Sequence, residues 1–302
     1  MPAAVIVTPV VAFNGTGLDA RLLGALVDLS VVNSIGVPAY ARLSFQVAAD
    51  GSGVDDIAAK LGDALKIQCK GPVDGGAVQS WTIFDGLVVS LGVEFDVSRG
   101  ALVIVEAYDK LYKLGRESVA KNYKNSTASD IISDLAAKAG LGVQVDATRI
   151  VPEHTFRYGT SYAFLDGLMR QIGYEWYVDD GKLIAHKRTS SGEVTLRYGE
   201  HLRSFQARYS ASEHAKDVEV RGWDPKTKQA IVAKATYSAS SSQSAIGLVA
   251  PNEKDVGGTS VLSIPRAVRS ADHARSLATG IANRRAAEAL RARGEVDPRP
   301  GI

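Results

Sequence analysis

A chain of 302 residues is long enough for about two domains of ordinary size. Hydrophobic residues at 45% and charged residues at 23% exclude a disordered chain, and a net charge of +2 gives no general attraction to nucleic acid or anionic membrane. Cys69 is the single cysteine, which excludes an intrachain disulfide and a zinc cluster of several cysteines.

The first residues, M-P-A-A-V-I-V-T-P-V-V-A-F, carry no Lys or Arg before the apolar run. Pro9 interrupts that run and Asn14-Gly15-Thr16-Gly17 ends it, so a β-strand is expected rather than a signal peptide. Strands are predicted over Val5–Phe13, Ala25–Val32, Arg42–Ala48, Leu65–Lys70, Trp81–Ser90 and Ala101–Ala107, separated by Gly, Asp, Asn and Pro clusters. Alternation such as Leu43-Ser44-Phe45-Gln46-Val47 suits an antiparallel sheet with one buried face. A short helix is predicted over Asp55–Leu65, where Asp55-Asp56 would suit the helix dipole. No uninterrupted apolar run reaches 18 residues, so no membrane-spanning helix is expected.

The pattern changes after Leu114. Thr127 or Ser126 caps a helix, with Asp130 completing a capping box three residues after Thr127. Ile131, Ile132, Leu135, Ala136 and Ala139 form its apolar stripe and Gly140 its stop. A second helix is capped by Ser161, buries Leu165, Leu168, Met169 and Ile172, and stops at Gly173. Tyr174–Val178, a turn at Asp179-Asp180-Gly181, and Lys182–Lys187 make a hairpin.

Strands return at Val194–Tyr198, Arg203–Tyr209, Lys216–Trp223 and Ala230–Thr236, with a turn at Asp224-Pro225-Lys226-Thr227. Residues 238–260, rich in Ser, Ala and Gly, read as a loop or arm. The alanine-rich stretch Arg269–Arg293 predicts one long helix ending at Gly294. Residues 266–302 hold eight arginines, no lysine and four acids, a composition suited to a solvated face or an acidic partner subunit.

No Walker loop, G-x-G-x-x-G, H-E-x-x-H or G-x-S-x-G occurs. His154, His186, His201, His214 and His273 are scattered, with no pair at helical ligand spacing. Asp179-Asp180 is explained by the hairpin turn, since adjacent strand residues point apart. The Asn14 and Asn125 sequons carry no weight without a secretory signal. No catalytic, cofactor-binding or metal-ligating residue is assigned, and no cofactor is expected.

Three motifs in order carry a resemblance: D-K-L-Y-K-L-G-R at 109–116, T-x-S-D-I-I at 127–132, and S-Y-x-F-L-x-x-L at 161–168 followed by G-Y-E-W-Y-V-D-D-G-K-L at 173–183. Asp85-Gly86 in I-F-D-G-L-V precedes them. The series resembles the hub region of contractile-tail spike proteins, the VgrG and phage late control protein D family. The resemblance implies an α+β, mainly β chain with two tube-type antiparallel β-barrel domains. They would occupy 1–106 and 188–265, separated by an α/β insert over 107–187, and followed by a long helix and linker over 266–302.

It also implies a homotrimer that joins a hexameric inner tube to a threefold spike. Partners would be tube or tube-initiator proteins, baseplate wedge proteins and a spike tip protein, with no nucleic acid and no direct membrane insertion. The particle would assemble in the bacterial cytoplasm and this subunit would leave with the tube on contraction. In relatives an OB-fold and β-helical needle follow the long helix; this sequence stops at R-G-E-V-D-P-R-P-G-I, so a continuation or separate protein would supply the tip. No catalysis is implied. The alternatives are a cell-wall glycan hydrolase, with two carboxylates among the 33 acids, and a monomeric peptide- or glycan-binding module.

Overall fold

The computed structural model describes residues 7–48, 50–73, 76–96, 100–118, 120–124, 126–148, 155–157, 159–187, 195–210, 215–224, 227–236, 259–263, 268 and 270–298. Within them the chain is mainly β, and antiparallel pairing predominates.

The first part contains β1 (Thr8–Phe13), β2 (Thr16–Gly17), α1 (Ala20–Ala25), β3 (Leu26–Val32), β4 (Tyr40–Val47), β5 (Ala64–Val73), β6 (Ala77–Asp96) and β7 (Gly100–Asp109). These strands form a seven-stranded sheet in the order β2-β1-β5-β6-β7-β4-β3. Alternate positions such as Ala41, Leu43 and Phe45 on β4 meet Leu65, Ile67, Val103 and Val105 in one core, as the period-two pattern requires. β6 is a single strand of 20 residues that serves two neighbours. Ala77–Leu87 pairs with β5, and Gly86–Asp96 pairs with β7. Gly86 sits at the changeover, where a Cβ would stand 2.3 Å from the Tyr108 carbonyl oxygen, so no other residue fits without displacing backbone.

The middle part holds α2 (Tyr112–Arg116), β8 (Lys121–Tyr123), α3 (Ala128–Ala139), β9 (Gly142–Val145), β10 (Thr155–Arg157), α4 (Ser161–Ile172), β11 (Tyr174–Asp179) and β12 (Lys182–Lys187). Thr127 caps α3, and the reciprocal bond from its backbone N–H to Asp130 completes the expected capping box. The cap of α4 is Thr160, one residue before the expected Ser161: its hydroxyl accepts from the Ala163 N–H, while Ser161 is buried as the first helical residue. Gly140 and Gly173 end the two helices in the left-handed region, at φ 75° and 70°. The β11–β12 hairpin turns through Asp180 and Gly181, both at positive φ, in the primed geometry that matches strand twist. β9 joins β12 in parallel, and α3 and α4 cover the resulting three-stranded sheet with Ile131, Ile132, Leu135, Leu165, Met169 and Trp176 in a shared core.

The last part holds β13 (Leu202–Tyr209), β14 (Ala215–Asp224), β15 (Gln229–Thr236), β16 (Thr259–Ser263), α5 (Ala271–Ala289) and β17 (Leu290–Val296). A three-stranded sheet, β15-β14-β16, buries Val218, Val220, Ile231 and Ala233 against Ala274, Ala278 and Ala282, which recur every fourth residue on α5. β13 and β17 form a separate two-stranded ribbon.

Several expectations are corrected. Among the described residues no sheet closes into a barrel, so the proposed barrels of 1–106 and 188–265 are open sheets in the single chain. Closure requires hydrogen bonding between the outermost strands, whereas β2 and β3 end the seven-stranded sheet at opposite sides. The long helix stops at Ala289, not Arg293, because Leu290–Val296 pairs with β13 and this long-range ladder overrides helix propensity. Residues 55–63 form turns and irregular structure rather than a helix, with Gly53 and Gly62 at φ 93° and 90° on either side of buried Ile57, and Ala64 and Leu65 already belong to β5. Residues 195–198 are not a strand; Tyr198 makes one isolated bridge to Leu202. Residues 5, 6 and 194, the 238–258 stretch, and 299–302 lie outside the described residues, and Thr259 and Ser260 already belong to β16.

Candidate assembly surfaces

The D-K-L-Y-K-L-G-R motif begins at the joint between the first sheet and the middle part. Asp109 is buried at the end of β7, where its two carboxylate oxygens accept from the Ala39 and Leu111 N–H groups, each at 2.8 Å. The Asp109 N–H donates to the Ala39 carbonyl at 3.0 Å, so one residue grips the loop before β4 from two sides. Burial pushes this carboxyl up to about 6 against the lowering effect of the two N–H donors. Leu111 and Leu114 of the same motif are fully buried among α3 and α4, each worth about 1.5–3 kcal/mol on transfer.

Gly36, at φ 79°, docks the same loop on the middle part. Its N–H donates to the Trp176 carbonyl and its carbonyl accepts from the Tyr162 hydroxyl, both at 2.8 Å. Tyr162 and Trp176 meet edge to face at 5.9 Å. The S-Y-x-F-L and G-Y-E-W-Y motifs thus supply a clamp as well as a core. On the other side α5 crosses the end of α4, where the Ser276 hydroxyl donates to the Ile172 carbonyl at 3.5 Å. The motifs fix how the parts meet.

Exposed large apolar side chains occur in loops, on sheet faces and along sheet edges. Pairing with β5 stops at Leu87, so residues 89–96 of β6 have β7 on one side and no strand on the other among the described residues. Leu91, Val93 and Phe95 lie on one face of this half-strand and are 40, 48 and 66% exposed. β3 also leaves an outer edge with Val27 and Val32 exposed, and the outer face of β14-β15-β16 shows Trp223, Val232 and Leu262. Unpaired edges carrying apolar side chains are liabilities in a lone chain and contacts in an assembly.

The residues weighed for chemistry do not converge. His186, His201 and His273 lie on three separate segments, whereas His154 and His214 lie outside the described residues. Among the described residues no group of His, Cys, Asp and Glu has the arrangement of a metal site. Asp180 is at the hairpin tip and Asp179 at the strand end, as a turn demands. Burial pushes the Cys69 thiol up, away from a reactive thiolate. No helix among the described residues is long and apolar enough to cross a membrane. Sequence reasoning missed the unpaired half of β6, because its exposure depends on where β5 stops.

The fold is that of known tail proteins. The prophage MuSo2 43 kDa tail protein from Shewanella oneidensis superposes with a TM-score of 0.70 at 17% identity, covering 97% of this chain and 83% of the other. The tail protein from Neisseria meningitidis MC58 gives 0.64 at 9% identity, covering 95% and 79%. No curated protein matches the sequence. A family model described as the Alg8 N-terminal domain matches residues 74–253, which run from the β5–β6 turn past β15 and make up more than half of the chain. The chain therefore belongs to the Alg8 N-terminal domain family.

Proposed function

We propose that this protein is a structural subunit at the centre of a phage-tail-like baseplate, a hub of the VgrG and late control protein D type. The observation that carries the reading is the tail-protein fold over 97% of the chain. Two of the three ordered motifs support it, since Asp109 and the Tyr162–Trp176 clamp build the joint between the first sheet and the middle part. The family description names neither a reaction nor a partner.

In this reading three copies form a ring, and the open sheets complete one another across subunits to give the six tube-type domains that meet a hexameric tube. Neighbouring tube, wedge and spike-tip proteins would cover the remaining edges, and the work is mechanical, with no catalysis. The particle assembles in the bacterial cytoplasm, and the subunit travels with the tube on contraction. The test is light-scattering mass with negative-stain imaging of the full chain over a concentration series. Three chain masses and a ring of pseudo-sixfold outline are expected; a compact single chain at every concentration would overturn the reading.

A further inference from the structure

The β13–β17 ribbon does not fit a self-sufficient chain. Two-stranded ribbons are marginal in water unless something packs on them, yet Phe205 is 49% exposed and Ala292 and Gly294 on β17 are exposed too. The register places Arg208 directly opposite Arg291 and Gln206 opposite Arg293, so three guanidinium groups share one face. Like charges directly opposite are destabilising, and among the described residues none of the three arginines has a carboxylate partner. Beside them is a groove of about 520 Å³ lined by Ser204, Phe205, Gln206, Arg293, Gly294 and Glu295.

The free half of β6 has the complementary pattern. Glu94 and Asp96 lie on one face, and Leu91, Val93 and Phe95 on the other. Two residues apart on a strand is about 6.6 Å, so Glu94 and Asp96 repeat at the same spacing as Arg291 and Arg293. Residues 89–96 span about 26 Å and the seven residues of β17 about 23 Å, so these two edges, each without a further strand among the described residues, match in length. Edge-to-edge pairing would set Glu94 and Asp96 beside Arg291 and Arg293, on a face of β17 that also carries Glu295 at its end. On the other face it would set Val93 and Phe95 beside Ala292 and Gly294 of β17, with Phe205 of β13 one strand further in.

We propose that the outer edge of β17 docks residues 89–96 of β6, the half that β5 does not reach, from a second copy of this chain. The contact is head to tail, with Arg291 and Arg293 receiving Glu94 and Asp96 and Arg208 one strand further in. It rests on the hub reading, which supplies the need for copies to meet, and it names the surfaces that meet.

The test compares the oligomer dissociation constants of the wild-type chain and three variants: Arg291→Glu with Arg293→Glu, Glu94→Arg with Asp96→Arg, and all four substitutions together. Each double variant is expected to weaken assembly about tenfold or more, and the fourfold variant to recover most of the loss. An assembling wild type whose double variants are unchanged, or whose fourfold variant does not recover, would overturn the docking assignment and leave the hub reading standing. A wild type that stays a single chain at its solubility limit would overturn both. An independent readout uses oxidation of a Phe95→Cys chain mixed with an Ala292→Cys chain, both in a Cys69→Ser background. A cross-linked pair specific to the mixture is expected; its absence under conditions of assembly overturns the pairing.

Discussion

Gly280 of α5 rests on Gly173 at the end of α4: a Cβ on Gly280 would stand 3.1 Å from the Gly173 Cα, and one on Gly173 would stand 3.3 Å from the Gly280 Cα. The absence of two side chains lets the helix that backs the last sheet touch the middle part backbone to backbone. In an open helix Gly→Ala stabilises by about 1 kcal/mol. At Gly280 the close contact reverses the sign, because neither partner is the end of a flexible side chain. Gly280→Leu is expected to lower stability by about 2 kcal/mol or more through overpacking. Gly167→Ala in α4, where a Cβ meets nothing within 4 Å, should instead stabilise by about 0.5–1 kcal/mol. Urea titrations of both variants check the contrast; equal effects would refute it.

Gly86 makes a harder demand. Its Cβ would meet the Tyr108 carbonyl oxygen at 2.3 Å and the Phe84 ring at 2.6 Å, at the point where β6 passes from β5 to β7. Gly86→Ala is expected to cost about 3 kcal/mol or more, or to abolish soluble expression. Gly92→Ala lies in the free half of β6 with nothing within 4 Å, so it should fold as the wild type does. Thermal melts and soluble yield distinguish the two.

Asp109 gives the first joint a pH dependence of definite sign. Its folded value of about 6 is above the ordinary 3.8, so between those values the folded chain holds a proton that the unfolded chain has released. Stability contributed by this group is therefore fully present below about pH 4 and lost as pH rises through 6. The amplitude is on the order of 1–3 kcal/mol. Asp109→Asn removes the titration, so the difference in unfolding free energy between wild type and variant should change between pH 4 and 6 and stay flat from 6.5 to 8. A constant difference across pH 4–6 would show that the carboxyl does not titrate there.

What was legible in the sequence was local. Thr127, Asp130 and Gly140 state where α3 starts and stops within their own turn, and Asp180-Gly181 fixes a hairpin by backbone preference alone. The helical character of the alanine-rich α5 was equally readable. Its end was not, because Leu290–Val296 has helical composition and becomes a strand only by pairing with β13. The extent of β6 was underread for the same reason: Ala77–Asp96 is one strand because two different neighbours hold its halves. The assembly surfaces depend entirely on such pairing. Val93 and Phe95 lie beyond the expected strand Trp81–Ser90, and their side of β6 is open only because pairing with β5 ends at Leu87.

The two helix caps of the middle part provide a graded test of that local logic. Thr127 both accepts from the Asp130 N–H at 3.1 Å and donates its own N–H to the Asp130 carboxylate at 2.9 Å, whereas Thr160 makes only the accepting bond, to the Ala163 N–H at 3.1 Å. The Thr127 hydroxyl and the Thr127 backbone N–H hold the Asp130 carboxyl below the usual carboxylate range. Thr127→Ala and Thr160→Ala should each cost about 1 kcal/mol, since each leaves an N–H of the first turn without its acceptor. Asp130→Asn should cost less, because the amide oxygen still accepts from the Thr127 N–H and only the charge at the helix N-terminus is lost. That loss belongs to the ionised form: it is present near neutral pH and vanishes as Asp130 is protonated in acid. Chemical denaturation of the three variants at pH 7 and pH 3 reads these differences, and an Asp130→Asn effect that persists at pH 3 would refute the electrostatic part.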